Sequence, residues 1–115
     1  MEEVNFKVVQ GDSFEIAVSY KNEDGTAINL VDYTARMDVR DIAGGKILCA
    51  SATEDNGGIV INDSAGQISI KFTPSQTKKF TLPNAAHQLQ IINNATNKKI
   101  TLISGHIKVS PSVIK

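Results

Sequence analysis

The chain contains no tryptophan, two tyrosines and four phenylalanines, which leaves little material for the aromatic platforms on which proteins stack sugars or nucleobases. Its only cysteine, Cys49, excludes an intrachain disulfide and any cysteine-rich zinc site. That thiol lies in the apolar run Ile47-Leu48-Cys49-Ala50, where it reads as a small buried hydrophobe and not as a nucleophile. No apolar window approaches the length of a membrane span. The amino terminus, MEEVNFKVVQ, has two acids in its first three residues and lacks the apolar core of a secretory signal, so synthesis in the cytoplasm is expected. Charge of one sign is missing as well. Twelve basic residues balance twelve acidic ones, so the molecule carries no overall field to attract nucleic acid or an anionic bilayer.

What the sequence has is alternation. Phe14, Ile16, Val18 and Tyr20 alternate with Glu15, Ala17 and Ser19, the period of a half-buried strand. Tyr33, Ala35, Met37 and Val39 repeat the pattern against Thr34, Arg36, Asp38 and Arg40. Turn signals separate these runs from the next ones: Asp24-Gly25, Gly44-Gly45, Gly57-Gly58 and Gly66. Further strands are expected over Lys46 to Ala52, Ile59 to Ile61, Gln67 to Phe72, His87 to Asn93 and Lys98 to Ser104, the last continuing as His106 to Val109 beyond a bulge or bend at Gly105. Thr73 followed by Pro74 reads as the cap and first residue of one short helical turn. Turns at this spacing and the near absence of helix predict one all-β domain over residues 1–115. Its expected form is an immunoglobulin-like antiparallel β-sandwich of about eight strands with at most one short helical turn. Its core should contain Ile16, Val18, Tyr33, Met37, Val39, Ile68, Ile70, Phe72, Leu89 and Ile91.

Catalytic and ligand-binding chemistry finds little support. His87 and His106 are the only imidazoles; each reads as a half-exposed strand residue, and two fall short of the three ligands usual for catalytic zinc. Asp38 falls on the charged face of a strand, while Asp41, Glu54 and Asp55 fall in turns. The segments Asp55-Asn56-Gly57-Gly58 and Asn62-Asp63-Ser64 carry oxygen ligands but lack the spaced acids and terminal glutamate of an EF-hand loop. Neither glycine pair leads into a phosphate-binding helix. Lys78-Lys79 and Lys98-Lys99 read as solvated turn residues. No catalytic, cofactor-binding or metal residue is expected, and no small-molecule substrate, nucleic acid or membrane partner.

The order of the motifs adds a resemblance. Gln10-Gly11-Asp12-Ser13-Phe14 opens an alternating strand, and Asp24-Gly25 leads into Leu30-Val31-Asp32-Tyr33-Thr34-Ala35-Arg36-Met37-Asp38-Val39-Arg40. Gly66-Gln67-Ile68-Ser69-Ile70, Thr73-Pro74-Ser75-Gln76-Thr77 and His87-Gln88-Leu89-Gln90-Ile91 follow in turn. From about Val8 to Val109 this pattern resembles the small Ig-like domain of tailed-phage structural proteins, including the N-terminal part of upper baseplate proteins. It departs from that family in carrying His87 where tyrosine is frequent, and in ending soon after Val109 where many relatives continue.

The resemblance implies a structural or assembly protein of the virion, in tail, baseplate or capsid surface, with other virion proteins as partners and several copies per assembly. The alternative is an adhesion or carbohydrate-binding module, which the scarcity of aromatics disfavours. The candidate interface is drawn from the two ends of the chain, where no dense charge guards the apolar residues: Val4, Phe6 and Val8, alternating with Asn5 and Lys7, and Val113 and Ile114 beyond Pro111.

Overall fold

A computed structural model describes residues 2–22, 24–26, 28–62 and 64–113. The strands are β1 (Glu2–Glu3), β2 (Phe6–Val9), β3 (Phe14–Ser19), β4 (Tyr33–Arg40), β5 (Leu48–Thr53), β6 (Ile59–Asn62), β7 (Gln67–Phe72), β8 (Asn84–Asn93) and β9 (Lys98–Ser110), with one helical turn, α1 (Pro74–Thr77), between β7 and β8. They form two sheets. The larger has the order β1-β9-β8-β4-β5, with β2 also on β9; the smaller has the order β3-β7-β6. The fold is an all-β sandwich, as the alternation predicts.

The pairing register shows why alternation suffices. Ala35, Met37 and Val39 of β4 stand opposite Ile91, Leu89 and His87 of β8, so one face of the central pair is a continuous apolar surface. Across the core, Ile68, Ile70 and Phe72 of β7 stand opposite Val18, Ile16 and Phe14 of β3. Met37, Val39, Ile68, Ile70, Phe72, Leu89 and Ile91 are buried, as expected. Ile16, Val18 and Tyr33 are only half-buried, because β3 is an edge strand and Tyr33 is the first residue of β4. Leu30 and Phe80, outside any strand, fill the core to complete burial.

Two of the sequence motifs turn out to be one contact. The Thr77 hydroxyl, fully buried, donates to the carbonyl of Asp12 at 2.8 Å and accepts from the Gly11 N–H at 3.0 Å. The Gln10 side chain donates to the Phe80 carbonyl at 2.9 Å. Gln10-Gly11-Asp12 and Thr73-Pro74-Ser75-Gln76-Thr77 are therefore conjoined fold determinants, and α1 is held by a capping box in which Thr73 and Gln76 satisfy each other's backbone N–H groups.

Three expectations are corrected. The sandwich is not wholly antiparallel: β1 and β2 run parallel to β9, joining the two ends of the chain. Strand β8 begins at Asn84, three residues before His87, because Ala85 and Ala86 are buried although too small to announce a strand by hydropathy. Gly105 does not break β9, and the register irregularity falls three residues earlier: Leu89 faces Ile103 and Gln90 faces Thr101, which leaves Leu102 of β9 as the extra residue. Gly105 is needed for closeness: a Cβ there would collide with the Val4 carbonyl and come within 2.8 Å of the Asn5 side chain.

Candidate interface

The amino-terminal strand is locked to its own chain. Val8 is buried, Val4 and Phe6 are half-buried against the core, and the Phe6 ring meets Phe14 edge-on at 5.3 Å. The candidate interface residues Val4, Phe6 and Val8 thus turn inward, which corrects the expectation that they stand available to a partner. The physical reason is the parallel pairing with β9, which directs them between the sheets and leaves Glu3, Asn5, Lys7 and Val9 outward. Val113, in contrast, is 95% exposed. Ile114 lies outside the described residues.

His87 holds this strand in place. It is 4% exposed, not half-exposed as expected. Its Nε2 lies 2.6 Å from the Val4 carbonyl; a carbonyl only accepts, so Nε2 carries the proton. The imidazole also packs against Phe6 at 4.9 Å. Burial holds its pKa below the ordinary 6.5, the hydrogen bond to Val4 opposes that shift, and the nearby His106 adds to it. The Nδ1 atom is buried with no partner, which favours the neutral ring further. On the other side of Gly105, the His106 N–H donates to Asn5 Oδ1 at 2.9 Å. A tyrosine at this position, frequent in the resembled family, would offer no ring nitrogen to Val4. His87 is thus a structural residue that the sequence marked only as a departure.

The outer face of the larger sheet is polar. Asp38 accepts from Arg36 Nε and Ser51 Oγ, each at 2.7 Å, and lies 3.7 Å from Arg40. With Gln88, Gln90, His106 and the 41–45 turn, these residues border a shallow cavity of about 460 Å³. Cys49 is buried and unoxidised on β5. Among the described residues, no group of three or more His, Cys, Asp or Glu side chains converges as metal ligands would, and no helix is long and apolar enough to cross a membrane. The Asp55 to Gly58 segment is a tight turn organised by Asn56, whose Oδ1 accepts from the N–H groups of Thr53 and Gly58. Asp63, of the other oxygen-rich segment, lies outside the described residues.

The apolar exposure is concentrated elsewhere. Eight large apolar residues are exposed among those described, and six of them (Val9, Ile42, Ile47, Leu48, Leu82 and Val113) lie at one end of the larger sheet. The register places them there: Val9 faces Ser110, Leu48 faces Arg40, and Asn84, two residues after Leu82, faces Lys108. Ile42 and Ile47 belong to the turn joining β4 to β5, and Val113 follows β9. All five strand positions across the sheet therefore contribute to one apolar rim.

This architecture has a counterpart among solved structures. The chain is similar to the N-terminal domain of phage TP901-1 ORF48, with a TM-score of 0.56 over 96% of this chain and 99% of that one, at 10% identity. It has the fold of a phage protein domain. No family model and no curated protein matches the sequence. At this identity the likeness is one of backbone fold, and it extends over nearly the whole chain.

Sequence reasoning found Val113 but missed the rest of the rim. Ile42, Leu82 and Val9 are single apolar residues in or beside turns, and no local pattern separates them from core residues. The only available signal was negative: Ile42 and Ile47 bracket Gly44-Gly45 in a turn that needs no apolar residue.

Proposed function

We propose that the chain is a structural domain of a tailed-phage virion that docks on a neighbouring virion protein through the apolar rim of its larger sheet. The observation that carries this reading is the rim: six of the eight exposed large apolar side chains among the described residues fall at one end of one sheet, and apolar exposure concentrated in this way marks interaction surfaces. The sandwich shared with a phage domain and the ordered motifs support the virion as its setting. The setting is the tail, baseplate or capsid surface that the sequence resemblance implies, with the chain present in several copies. The work is non-catalytic: His87 is spent on Val4, Cys49 is buried, and Asp38 is neutralised between two arginines.

A second reading rests on the cavity on the outer face, where the Gln88 and Gln90 amides and the Arg36 and Arg40 guanidinium groups could hold a sugar. No phenylalanine, tyrosine or tryptophan lines it, so it lacks the stacking surface that such sites use. The docking reading is tested by Ile47→Glu combined with Leu82→Glu. Both side chains are exposed, so the variant should melt within about 1 kcal/mol of the wild type yet fail to enter particles. Normal incorporation of the variant refutes the rim as the docking surface.

A further inference from the structure

The seam between β3 and β9 is closed along one stretch only. Where β1 and β2 lie against β9, Val4, Phe6 and Val8 fill the space between the sheets. Pairing starts at Ile103, opposite Glu2. Strand β9 extends five residues further, to Lys98, and among the described residues no strand pairs with the outer edge of residues 98–102. Across the seam, β3 ends at Ser19. The result is a cleft of about 510 Å³ bordered by Val18, Tyr20, Ile100 and Leu102, all apolar residues packed on the core yet left half-buried. Lys21 borders it too, no acidic residue does, and the exposed Lys98 and Lys99 directly precede Ile100.

Two physical demands coincide here. An unpaired strand edge offers its N–H and C=O groups to another strand, and half-buried aliphatic side chains gain from being covered. The occupant is constrained by what already lies on this edge. Strand β1 defines a parallel line along β9, and the stretch of β9 from Lys98 to Leu102 on that line measures about 16 Å, roughly five extended residues. The occupant's amino-terminal end would lie among three lysines.

We propose that an extended segment of a partner protein adds to residues 98–102 of β9 as a parallel strand in line with β1, seating alternate apolar side chains against Val18, Tyr20, Ile100 and Leu102 and an acidic amino-terminal end against Lys21, Lys98 and Lys99. This contact lies at the opposite end of the larger sheet from the apolar rim, so either can fail without the other.

The probe is a synthetic peptide, Asp-Glu-Val-Thr-Val-Thr-Val, titrated to millimolar concentration against the full chain, with Lys-Lys-Val-Thr-Val-Thr-Val as its charge-reversed control. Amide hydrogen exchange and methyl chemical shifts are followed by NMR. The acidic peptide should slow exchange within residues 99–102, shift the methyl groups of Val18, Ile100 and Leu102, and bind about tenfold more tightly than the control. Lys98→Glu with Lys99→Glu should reverse that order, since both residues are exposed and their replacement leaves the core intact. The same acidic peptide joined directly ahead of Met1 supplies a millimolar effective concentration and should protect the same amides. Absence of protection in both the free and the tethered form, protection elsewhere, or equal affinity for the two peptides overturns the proposal.

Discussion

The two edges of the larger sheet meet the same hazard in different ways. An edge strand exposes backbone groups that invite unwanted pairing, and β5 blunts its edge locally. The Ser51 carbonyl accepts from Asn56 Nδ2 at 2.9 Å and Gln76 Nε2 at 3.2 Å, and the Thr53 N–H donates to Asn56 Oδ1 at 3.0 Å. Amide side chains from the following turn and from α1 stand in for a missing strand. The β9 edge is covered instead by chain from the far end of the sequence, through contacts such as His87 to Val4 and His106 to Asn5, the latter 101 residues apart. Long-range pairing stops where the covering segment stops, which is why β9 retains an open stretch over residues 98–102.

Breaking the floor common to both edges should have the largest effect. Leu89 is fully buried opposite Met37 and Ile103, and Leu89→Ala should cost about 2–5 kcal/mol, read by chemical denaturation. A loss below half a kcal/mol would mean that the sheets do not share this core. Next in size, Gly105→Val inserts a side chain where the Val4 carbonyl and Asn5 approach β9. It should cost about 1–3 kcal/mol and speed amide exchange in β1 and β2 while leaving β5 unchanged. Uniform destabilisation would erase the distinction between the edges.

The contrast between local and long-range structure also explains what was legible in the sequence. Strands β3, β4 and β7 declare themselves because alternation is a property of neighbouring residues. The capping box at Thr73 is equally local. The parallel amino-terminal strand is not: Val4, Phe6 and Val8 have the same alternation whether they face a partner or their own core, and only the pairing with β9 decides. His87 was misread for a related reason, since a histidine becomes a buried anchor only when a carbonyl from the other end of the chain reaches it. Leu30 and Phe80 enter the core from loops, where hydropathy carries no period. The apolar rim is assembled from five strand ends and is visible only once the strands are in register.

Smaller effects separate the edges further. Asn56→Ala removes two hydrogen bonds at the β5 edge and a third within the turn and should cost about 1 kcal/mol net, because water replaces part of what is lost. Exchange should quicken in β5 but not in β2. Smallest is a pH dependence confined to the β9 edge. The folded-state pKa of His87 lies below the ordinary 6.5, so protonation favours the unfolded chain. The stability from the neutral ring is fully present above about pH 6.5 and is lost as pH falls from there toward the lowered folded value. Thermal melts should show that decline in the wild type and a flatter profile in His87→Gln. An unchanged slope in the variant would assign the effect to another group.

Docking of this sandwich within a virion, as proposed, is open to cross-linking mass spectrometry of purified phage particles. Lys46 is exposed beside Ile47 in the apolar rim, so it reports on that surface with an amine-reactive reagent and without mutation. The chain should be a stoichiometric particle component, and Lys46 should cross-link to a second virion protein. Absence of the chain from particles, or its presence with Lys46 freely modified and never cross-linked, would contradict it.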